Sequence, residues 1–403
     1  MAKRKIRVGV IFGGQSGEHE VSIVSAVSVI SALGRKKYDV FPIGITKAGK
    51  WITGKNVVNI LRDQSVKKFP IMEKIIIPDP TKKSLVPIAT QNARICLRET
   101  SLDVVFPVLH GPYGEDGTIQ GLLELSGIPY VGAGVLGSAV GMDKVIMKKI
   151  FKEEQLPIVK FCNFIRNDWK KNPTRITKDI TKKVNFPVFV KPSNLGSSVG
   201  ISKAKNEKQL VIAIKEALKY DHRVIVEEAV ESAREIEVSV LGNNDPQASL
   251  PGEVIASNEF YDYDAKYVDG KSKIIIPAKL SKKIIRQVQL IAIQAFKATD
   301  CAGMARVDFL LDQNKKKLYL SEINTIPGFT SISMYPKLWE ATGISYSELL
   351  DRLIALAIER KRAKNQSLTS YQLRKDWYKT KGAICLGEKK QKTLGVFGNT
   401  KSK

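Results

Sequence analysis

The chain has 403 residues, 43% of them hydrophobic, and its 65 Lys and Arg against 40 Asp and Glu give a net charge of +25. This length predicts two or three domains with substantial cores. No apolar run approaches the ~20 residues needed to span a bilayer, and the short apolar run near the start lacks a signal-peptide cleavage site. Four scattered cysteines, without metal or redox spacing, predict reduced thiols and a cytoplasmic location.

The positive charge favours anionic partners, such as nucleotide phosphates, nucleic acid or acidic lipid. It is concentrated at the C-terminus: residues 361–403 contain 12 Lys and Arg against 2 Asp and Glu, a net charge of +10. This tail loses periodicity, so we predict a mobile segment. Its role has two interpretations, a dispensable extension or a tether to polyanions or anionic membranes.

The first predicted domain comprises residues 1–131 and alternates strands with helices. Its elements are strand Ile6–Phe12, helix Glu20–Leu33, strand Tyr38–Ile45 and strand Leu102–Leu109. This order predicts a parallel sheet with crossover helices. Residues 49–100 predict an insertion of short strands and loops.

Two further domains are predicted at residues 132–227 and 228–360. The elements of the second are helix Met142–Gln155, strand Pro187–Val190, helix Glu207–Tyr220 and strand Val224–Glu228. Those of the third are strand Glu235–Leu241, a polar-aromatic loop at Glu259–Lys273, helix Lys282–Thr299, hairpin strands Ala305–Leu311 and Lys317–Glu322, and helix Tyr346–Arg362.

The first candidate site is the segment Lys191–Gly200, rich in glycine and serine. Backbone N–H groups and hydroxyls suit an oxyanion, and the lysine adds positive charge. The Gly-Lys-Ser/Thr ending of the Walker pattern is absent, and a strand follows instead of a helix. The segment is either a phosphate site or a plain turn.

The second candidate is the predicted hairpin. Residues two apart on a strand share a face, so Arg306 points with Asp308, and Glu322 points with Asn324. If the strands pair, oxygen donors of the kind that Mg²⁺ prefers meet a guanidinium. The alternative is a solvated face with a surface ion pair.

Two glycine-containing loops complete the candidates. The glycines of Gly13–Glu20 lack the spacing of a dinucleotide-binding site. An alternative role for Glu18 and Glu20 is to place negative charge at a helix N-terminus. Ile23 stands where a zinc-protease pattern would need a second histidine. His110–Gly117 lies at the C-terminal end of a predicted strand, which is the edge at which open parallel sheets bind ligands. Taken alone, His110 would also suit a structural role.

Together these stretches make the chain resemble the D-alanine–D-alanine ligase family of the ATP-grasp superfamily. The similar stretches are Gly13–Ser22, His110–Gly121, Gly141–Lys144, Val190–Ser202, Glu227 with Arg234–Glu237, Phe260–Tyr267, Gly303–Asp308 and Glu322–Ser333. The resemblance implies an α/β fold, with α+β character in the two ATP-grasp subdomains that follow the N-terminal domain. It also implies ligation of two D-alanine molecules through a D-alanyl phosphate, for peptidoglycan precursor synthesis.

The resemblance further implies roles for individual residues. Those at ATP would be Lys144, Lys191, Ser197, Ser198, Glu227, Glu228, Glu235, Phe260, Lys266 and Asn324. Asp308, Glu322 and Asn324 would bind two Mg²⁺ or Mn²⁺ ions. Glu18, His110, Ser333 and Met334 would contact the amino acids.

For catalysis, the resemblance implies that Glu18, Ser197 and Tyr267 form a hydrogen-bonded set. Arg306 and the Gly328 N–H would stabilise the tetrahedral oxyanion. The loop around Tyr267 would close to exclude water, since water would hydrolyse the acyl phosphate. Tyr267 also matches the dipeptide-forming members, and a homodimer is implied. The tail has no counterpart in the resemblance, and the link from Glu227 to Glu235 is one residue longer than is common.

Three alternatives compete. Another ATP-grasp ligase, such as a carboxylase-type enzyme, would share the nucleotide and metal residues but lack His110–Gly117. A basic nucleic-acid-binding protein would need a recognition helix or a basic-aromatic platform, and none is evident outside the tail, so we expect no specific nucleic acid. A catalytically inactive scaffold is disfavoured because each expected polar residue is present.

Overall fold

The computed structural model describes residues 4–54, 56–63, 73–88, 99–255 and 273–368. Predictions that concern Phe260, Lys266, Tyr267 or the tail beyond residue 368 lie outside the described residues. The predicted domain boundaries remain predictions, and the elements are described below by sheet.

The first sheet is mainly parallel, as predicted. The elements of this region are β1 Ile6–Gly13, α1 His19–Ala32, β2 Tyr38–Ile45, β3 Trp51–Thr53, α2 Val57–Arg62, β4 Lys74–Ile76, β5 Ser84–Pro87, β6 Thr100–Ser101, β7 Val104–Val108 and α3 Thr118–Leu125. The strand order is β3-β2-β1-β7, with β1 parallel to both β2 and β7. Strands β4 to β6 form a small separate sheet, and helix α2 was not predicted in this insertion.

The second sheet is antiparallel, in the order β10-β9-β11-β8. The elements of this region are α4 Val135–Met142, α5 Lys144–Glu153, β8 Phe161–Ile165, α6 Arg166–Lys171, α7 Pro173–Lys183, β9 Val188–Pro192, β10 Ser202–Ala204, α8 Glu207–Tyr220 and β11 Arg223–Glu228. The helix predicted from Met142 to Gln155 is confirmed as α5, which begins two residues later and ends two residues earlier than expected, whereas α4 was not predicted. Asp143 is extended and caps α5 by accepting hydrogen bonds from the N–H groups of Val145 and Ile146, so one helix ends before it and another begins after it.

The third sheet runs in the order β15-β14-β12-β16-β17, with β13 paired to β12. The elements of this region are β12 Ala233–Gly242, β13 Gln247–Ala248, β14 Gly252–Ile255, β15 Lys273–Ile275, α9 Lys282–Ala298, β16 Gly303–Asp312, β17 Lys317–Asn324, α10 Met334–Ala341 and α11 Tyr346–Lys364. The predicted hairpin is confirmed as β16 and β17, both longer than expected.

The last helix packs beneath the first sheet. Leu349 and Leu353 of α11 share a hydrophobic core with Val8 and Phe106 of the parallel strands. Asp351 accepts a hydrogen bond from the Tyr38 hydroxyl at 2.7 Å. The elements that follow the hairpin therefore hold the first sheet against the third. Within the described ranges, no helix combines the length and apolar character needed to cross a bilayer.

Candidate active site

The β16–β17 hairpin carries the residues predicted to bind metal. Its register places Arg306 opposite Asn324 and Asp308 opposite Glu322, so the four side chains share one face. Asp308 accepts hydrogen bonds from Arg306 Nε at 2.8 Å, from Arg306 Nη2 at 2.6 Å and from Asn324 Nδ2 at 3.0 Å. A β-bulge follows Asp308, a distortion that is common beside active sites. The structure thus brings together the set predicted from the spacing.

Glu237, which has no predicted role, lies on the other side of Arg306. Strand β12 pairs with β16 so that Glu237 is opposite Asp308, and Glu237 Oε2 lies 3.1 Å from Arg306 Nε. Burial lowers the pKa of Arg306, but Asp308 and Glu237 raise it well above its ordinary value, so the guanidinium is fixed as a cation. A sequence signal existed, because Glu235 and Glu237 are two residues apart on a predicted strand and share a face.

The side chains of the hairpin suit a metal ion that also binds substrate phosphate. In the described part of the chain, no group of three or more His, Cys, Asp and Glu side chains is placed to hold an ion. The hairpin instead offers the carboxylates of Asp308 and Glu322 and the amide oxygen of Asn324. These hard oxygen donors suit Mg²⁺, which usually fills its remaining positions with water and substrate phosphate.

A second buried cluster of charges involves the central sheet. Glu227 Oε2 lies 2.7 Å from Lys191 Nζ, and Glu227 Oε1 lies 3.2 Å from Lys148 Nζ. Lys148 also donates a hydrogen bond of 3.2 Å to the Leu320 carbonyl oxygen of β17. Burial raises the pKa of Glu227, but the two lysines lower it to about 2. Lys148 was not predicted, although it lies one helical turn after Lys144.

The loop after β9, predicted to bind phosphate, is fastened to the start of α5. Ser193 Oγ donates to the Asp143 carboxylate at 2.7 Å, and Lys144 Nζ donates to the Leu195 carbonyl oxygen at 2.7 Å. Ser197 has a left-handed backbone with φ of 51°, and its buried Oγ has no hydrogen-bond partner within the described residues. A lysine, hydroxyls and a tight turn are therefore held in one place, as phosphate binding requires.

The other acidic residues predicted at the nucleotide differ in position. Glu228 follows Glu227 on β11, so it points to the opposite face, where it accepts hydrogen bonds from the Asn185 backbone at 2.9 Å and side chain at 3.0 Å. Burial lowers the pKa of Lys191, but surrounding carboxylates, Glu227 first and Glu235 among them, raise it. The structure thus brings Glu235 to the charged cluster but does not bring the Glu228 carboxylate there.

Acidic and imidazole groups meet at the ends of β1 and β7. Glu18 Oε2 lies against two glycines, since a Cβ atom would be 3.2 Å from it at Gly111 and 3.1 Å at Gly196. His110 is buried, and its Nδ1 lies 3.1 Å from the Ile326 carbonyl oxygen. Burial lowers the pKa of His110, so the imidazole is neutral at pH 7. A carboxylate beside a neutral imidazole suits an incoming ammonium group.

Glu115 is a further residue of this pocket without a predicted role. Its Oε2 accepts a hydrogen bond of 2.6 Å from the Gly111 N–H. Burial raises the pKa of Glu115 to about 8, and the charge of Glu18 adds to the rise. Glu115 belongs to the predicted His110–Gly117 loop, but its proximity to Glu18 could not be deduced from spacing.

Gly328 and Ser333 lie in the loop between β17 and α10. Ser333 Oγ lies 2.7 Å from Thr330 Oγ1 and accepts a hydrogen bond of 3.0 Å from the Thr330 N–H. A Cβ atom at Gly328 would lie 2.8 Å from Ser333 Oγ, so a side chain there would displace the hydroxyl. Met334 begins α10 and is buried.

One cavity of about 810 Å³ connects these groups. Eleven of the predicted site residues line it: Glu18, His110, Lys144, Ser197, Ser198, Arg306, Glu322, Asn324, Gly328, Ser333 and Met334. The unpredicted Glu115 and Glu237 also line it. A phosphate-type loop, a metal-type hairpin and an acidic pocket therefore share one space.

Comparison with known proteins identifies the family. The family model described as "D-ala D-ala ligase N-terminus" matches residues 7–133, and the one described as "D-ala D-ala ligase C-terminus" matches residues 150–355. The chain belongs to the D-alanine–D-alanine ligase family. The D-alanine–D-alanine ligase of Natranaerobius thermophilus is 48% identical in sequence, and the match covers 91% of this chain and 99% of that ligase. The D-alanine–D-alanine ligase of Heliobacterium modesticaldum is 49% identical in sequence, and the match covers 91% of this chain and 98% of that ligase.

Solved structures of ligases share the fold. The D-alanine–D-alanine ligase of Coxiella burnetii is 38% identical, with a TM-score of 0.76 over 90% of this chain and 97% of its own. The VanG D-Ala:D-Ser ligase of Enterococcus faecalis is 36% identical, with a TM-score of 0.78 over 88% of this chain and 100% of its own. The multidomain α/β fold expected of an ATP-grasp ligase is therefore confirmed.

Proposed function

We propose that this chain joins two D-alanine molecules into D-alanyl-D-alanine, using ATP and releasing ADP and phosphate, for peptidoglycan precursor synthesis. The observation that carries the proposal is the shared cavity, which is lined by an acidic pocket, a glycine- and serine-containing loop with Lys144 beside it, and a carboxylate-bearing hairpin. Relatives named D-alanine–D-alanine ligase cover nine tenths of the chain and support the choice of substrates.

In the first step, the carboxylate of one D-alanine attacks the γ-phosphorus of ATP, and ADP leaves. Glu18 receives the substrate ammonium, beside His110. Lys144 and Lys191 contact the phosphates, while Glu227 and Glu235 hold the nucleoside. The product is a D-alanyl phosphate, whose phosphate is a far better leaving group than the oxygen of a carboxylate.

In the second step, the amine of the other D-alanine attacks the acyl carbon, and phosphate leaves from the tetrahedral intermediate. Arg306 and the Gly328 N–H stabilise the developing oxyanion, which is the interaction that contributes most in acyl transfer. Ser333 binds the carboxylate of the second D-alanine, with Met334 beside it. The ammonium of the second D-alanine gives one proton to solvent and attacks as the neutral amine. The nitrogen loses a second proton, which the departing phosphate takes up, as the amide forms.

Divalent cations are part of this proposal. Asp308, Glu322 and Asn324 would hold two Mg²⁺ or Mn²⁺ ions. When bound, these ions would neutralise phosphate charge during transfer. The mixed oxygen donor set of the hairpin supports this assignment.

The remaining assignments rest on the family resemblance. Ser198 would contact the phosphates, and Phe260 and Lys266 the nucleotide, with Lys266 at the γ-phosphate. Tyr267 would join Glu18 and Ser197, and Ser197 Oγ is a buried hydroxyl that such a bond would satisfy. We also propose that the enzyme is a cytoplasmic homodimer, which size-exclusion chromatography with light scattering would test.

The direct test is ADP release by purified protein with ATP, Mg²⁺ and D-alanine. We expect ADP release to depend on D-alanine and to equal dipeptide formation. ADP release that ignores D-alanine would reject the proposal.

Competition at neutral pH between D-alanine, D-serine and D-lactate tests the second substrate. We expect D-alanyl-D-alanine to predominate, with little D-alanyl-D-lactate, because Tyr267 matches dipeptide-forming members. Predominant ester would show that Tyr267 does not set the choice. Predominant D-alanyl-D-serine would place the chain functionally with the VanG ligase.

A further inference from the structure

Three carboxylates form a row across three neighbouring strands of the third sheet. Glu237 on β12 is opposite Asp308 on β16, and Asp308 is opposite Glu322 on β17. Like charges that are directly opposite on paired strands destabilise a sheet. Arg306, within the same group, supplies positive charge between two of them.

Arg306 has two acidic partners, and they are not equivalent. It binds Asp308 through Nε and Nη2, in the two-pronged geometry that is strongest for arginine and carboxylate. The same Nε lies 3.1 Å from Glu237 Oε2. The guanidinium can therefore turn towards Glu237 without leaving the site.

The proposed metal and Arg306 compete for the same atoms. Both oxygens of Asp308 accept hydrogen bonds from Arg306, and one of them also accepts from Asn324. A cation at Asp308 needs an oxygen lone pair and repels the guanidinium. A buried arginine that loses its anionic partner is strongly unfavourable, so it needs another anion nearby.

We propose that Glu237 is a positioning residue that retains Arg306 beside the cavity when a divalent cation occupies Asp308. This inference rests on the proposed function, because it requires a metal at the hairpin. Glu237 itself need not touch substrate or metal. Its effect passes through Arg306, which must stay near the reacting carbon while Asp308 serves the cation.

A competing explanation is that Glu237 simply attracts cations through space. Both explanations predict weaker metal binding in Glu237→Gln. They differ once Arg306 is removed: a positioning role then disappears, whereas a through-space attraction remains. A double-mutant cycle separates the two.

The experiment measures Mn²⁺ affinity of the ADP complex by electron paramagnetic resonance, for the wild type, Glu237→Gln, Arg306→Met and the double variant. We expect Glu237→Gln to weaken Mn²⁺ binding about tenfold in the wild-type background and less than about twofold in the Arg306→Met background. Equal weakening in both backgrounds would overturn the proposal. If Arg306→Met does not fold, Arg306→Lys replaces it, because a lysine cannot bind both carboxylates in the same two-pronged way.

Glu253→Gln is the matched control. Glu253 is a buried carboxylate of the same sheet, paired with Arg234 at 2.7 Å. It is opposite Ile236, so it faces away from Glu237. We expect this variant to lose stability but to keep wild-type Mn²⁺ affinity.

A second readout is the ratio of ADP released to dipeptide formed. We expect Glu237→Gln to raise this ratio, because a misplaced Arg306 slows amine attack and leaves the acyl phosphate to water. Glu237→Asp should restore part of the coupling. Absence of ADP-dependent Mn²⁺ binding in the wild type would reject the metal assignment itself, which is distinct from a failure of Glu237 alone.

Discussion

The two buried charge clusters beside the cavity contain the same kinds of groups in opposite proportion. On the central sheet, one carboxylate, Glu227, faces two lysines, Lys148 and Lys191. On the third sheet, one guanidinium, Arg306, faces a row of three carboxylates. Counted by direct ion pairs, the first cluster therefore has more cations than anions and the second has more anions than cations, while Glu322 and Glu235 also act on Lys191 through space.

This difference corresponds to what each cluster would bind. Excess positive charge suits nucleotide phosphates, and excess negative charge suits divalent cations. Both clusters are buried, and excess buried charge of one sign costs stability. We infer that the enzyme tolerates this cost because ATP and metal complete the balance.

The largest effect is expected at the negative cluster. Glu322→Gln keeps the size of the side chain but removes a charge proposed to hold the divalent cations. We expect kcat to fall by ~10²–10³-fold, because charge stabilisation in the transition state is lost. Steady-state dipeptide formation measures the effect, and circular dichroism should show an intact fold. Near-normal turnover at saturating Mg²⁺ would show that the hairpin is not the metal site.

At the positive cluster, the change is Lys148→Met. It removes a buried charge but leaves Lys191 on Glu227. We expect the KM for ATP to rise about tenfold and the free energy of unfolding to fall by about 1.5–3 kcal/mol, the range for hydrogen bonds to charged groups. Urea denaturation and ATP titration of activity are the measurements.

The matched control for that change is Lys152→Met, one turn further along α5 and exposed. It should change the free energy of unfolding by less than about 0.5 kcal/mol. An unchanged KM for ATP in Lys148→Met would show that the excess positive charge does not serve the nucleotide.

The acidic pocket extends the comparison, since Glu115 lies beside a second carboxylate, that of Glu18. Burial raises the pKa of Glu115 to about 8, so the folded protein binds this proton more tightly than the unfolded chain does. The protonated Glu115 carboxyl group therefore stabilises the folded protein at low pH, and this stabilisation is lost as pH rises from about 4.5 towards 8.

The variant Glu115→Gln removes that titration. We expect its stability relative to the wild type to increase between about pH 5 and pH 8, as measured by urea denaturation at several pH values. Because burial lowers the pKa of His110, that residue acts in the opposite direction, losing stability as pH falls below about 6.5. A constant difference between the two proteins would show that Glu115 is already ionised.

The smallest effect is expected from the tail, whose +10 charge includes no residue of either cluster. A chain ending at Lys361 should keep its ligase activity. Any binding to anionic vesicles or nucleic acid should weaken with the truncation and with salt. Loss of turnover in a folded truncation would show that the tail contributes to the site or to a dimer contact.

The sequence predicted the parts of the site that depend on local spacing. Alternation on strands indicated that Arg306 with Asp308, and Glu322 with Asn324, would face the same way, and the pairing of β16 with β17 completed the set. The family resemblance supplied the other residues that were predicted. The predictions from strand alternation needed only the pairing of two neighbouring strands and no contact between distant parts of the chain.

The missed features depend on contacts between distant residues. Lys148 bonds to Leu320, 172 positions away, and Glu237 meets Arg306 only because β12 pairs with β16. The break at Asp143 is similar, since Ser193 and Arg223 hold its carboxylate from 50 and 80 positions away. Periodicity alone began the predicted helix at Met142, one position before this cap.

The opposite charges of the two clusters are tested most directly by the affinity for ADP, measured by calorimetry with and without Mg²⁺. We expect Mg²⁺ to tighten ADP binding to the wild type, and Glu322→Gln to abolish that gain. We expect Lys148→Met to weaken ADP binding in both conditions while keeping the gain from Mg²⁺. A Glu322→Gln protein that keeps the gain, or a Lys148→Met protein that loses it, would contradict the division between a phosphate side and a metal side.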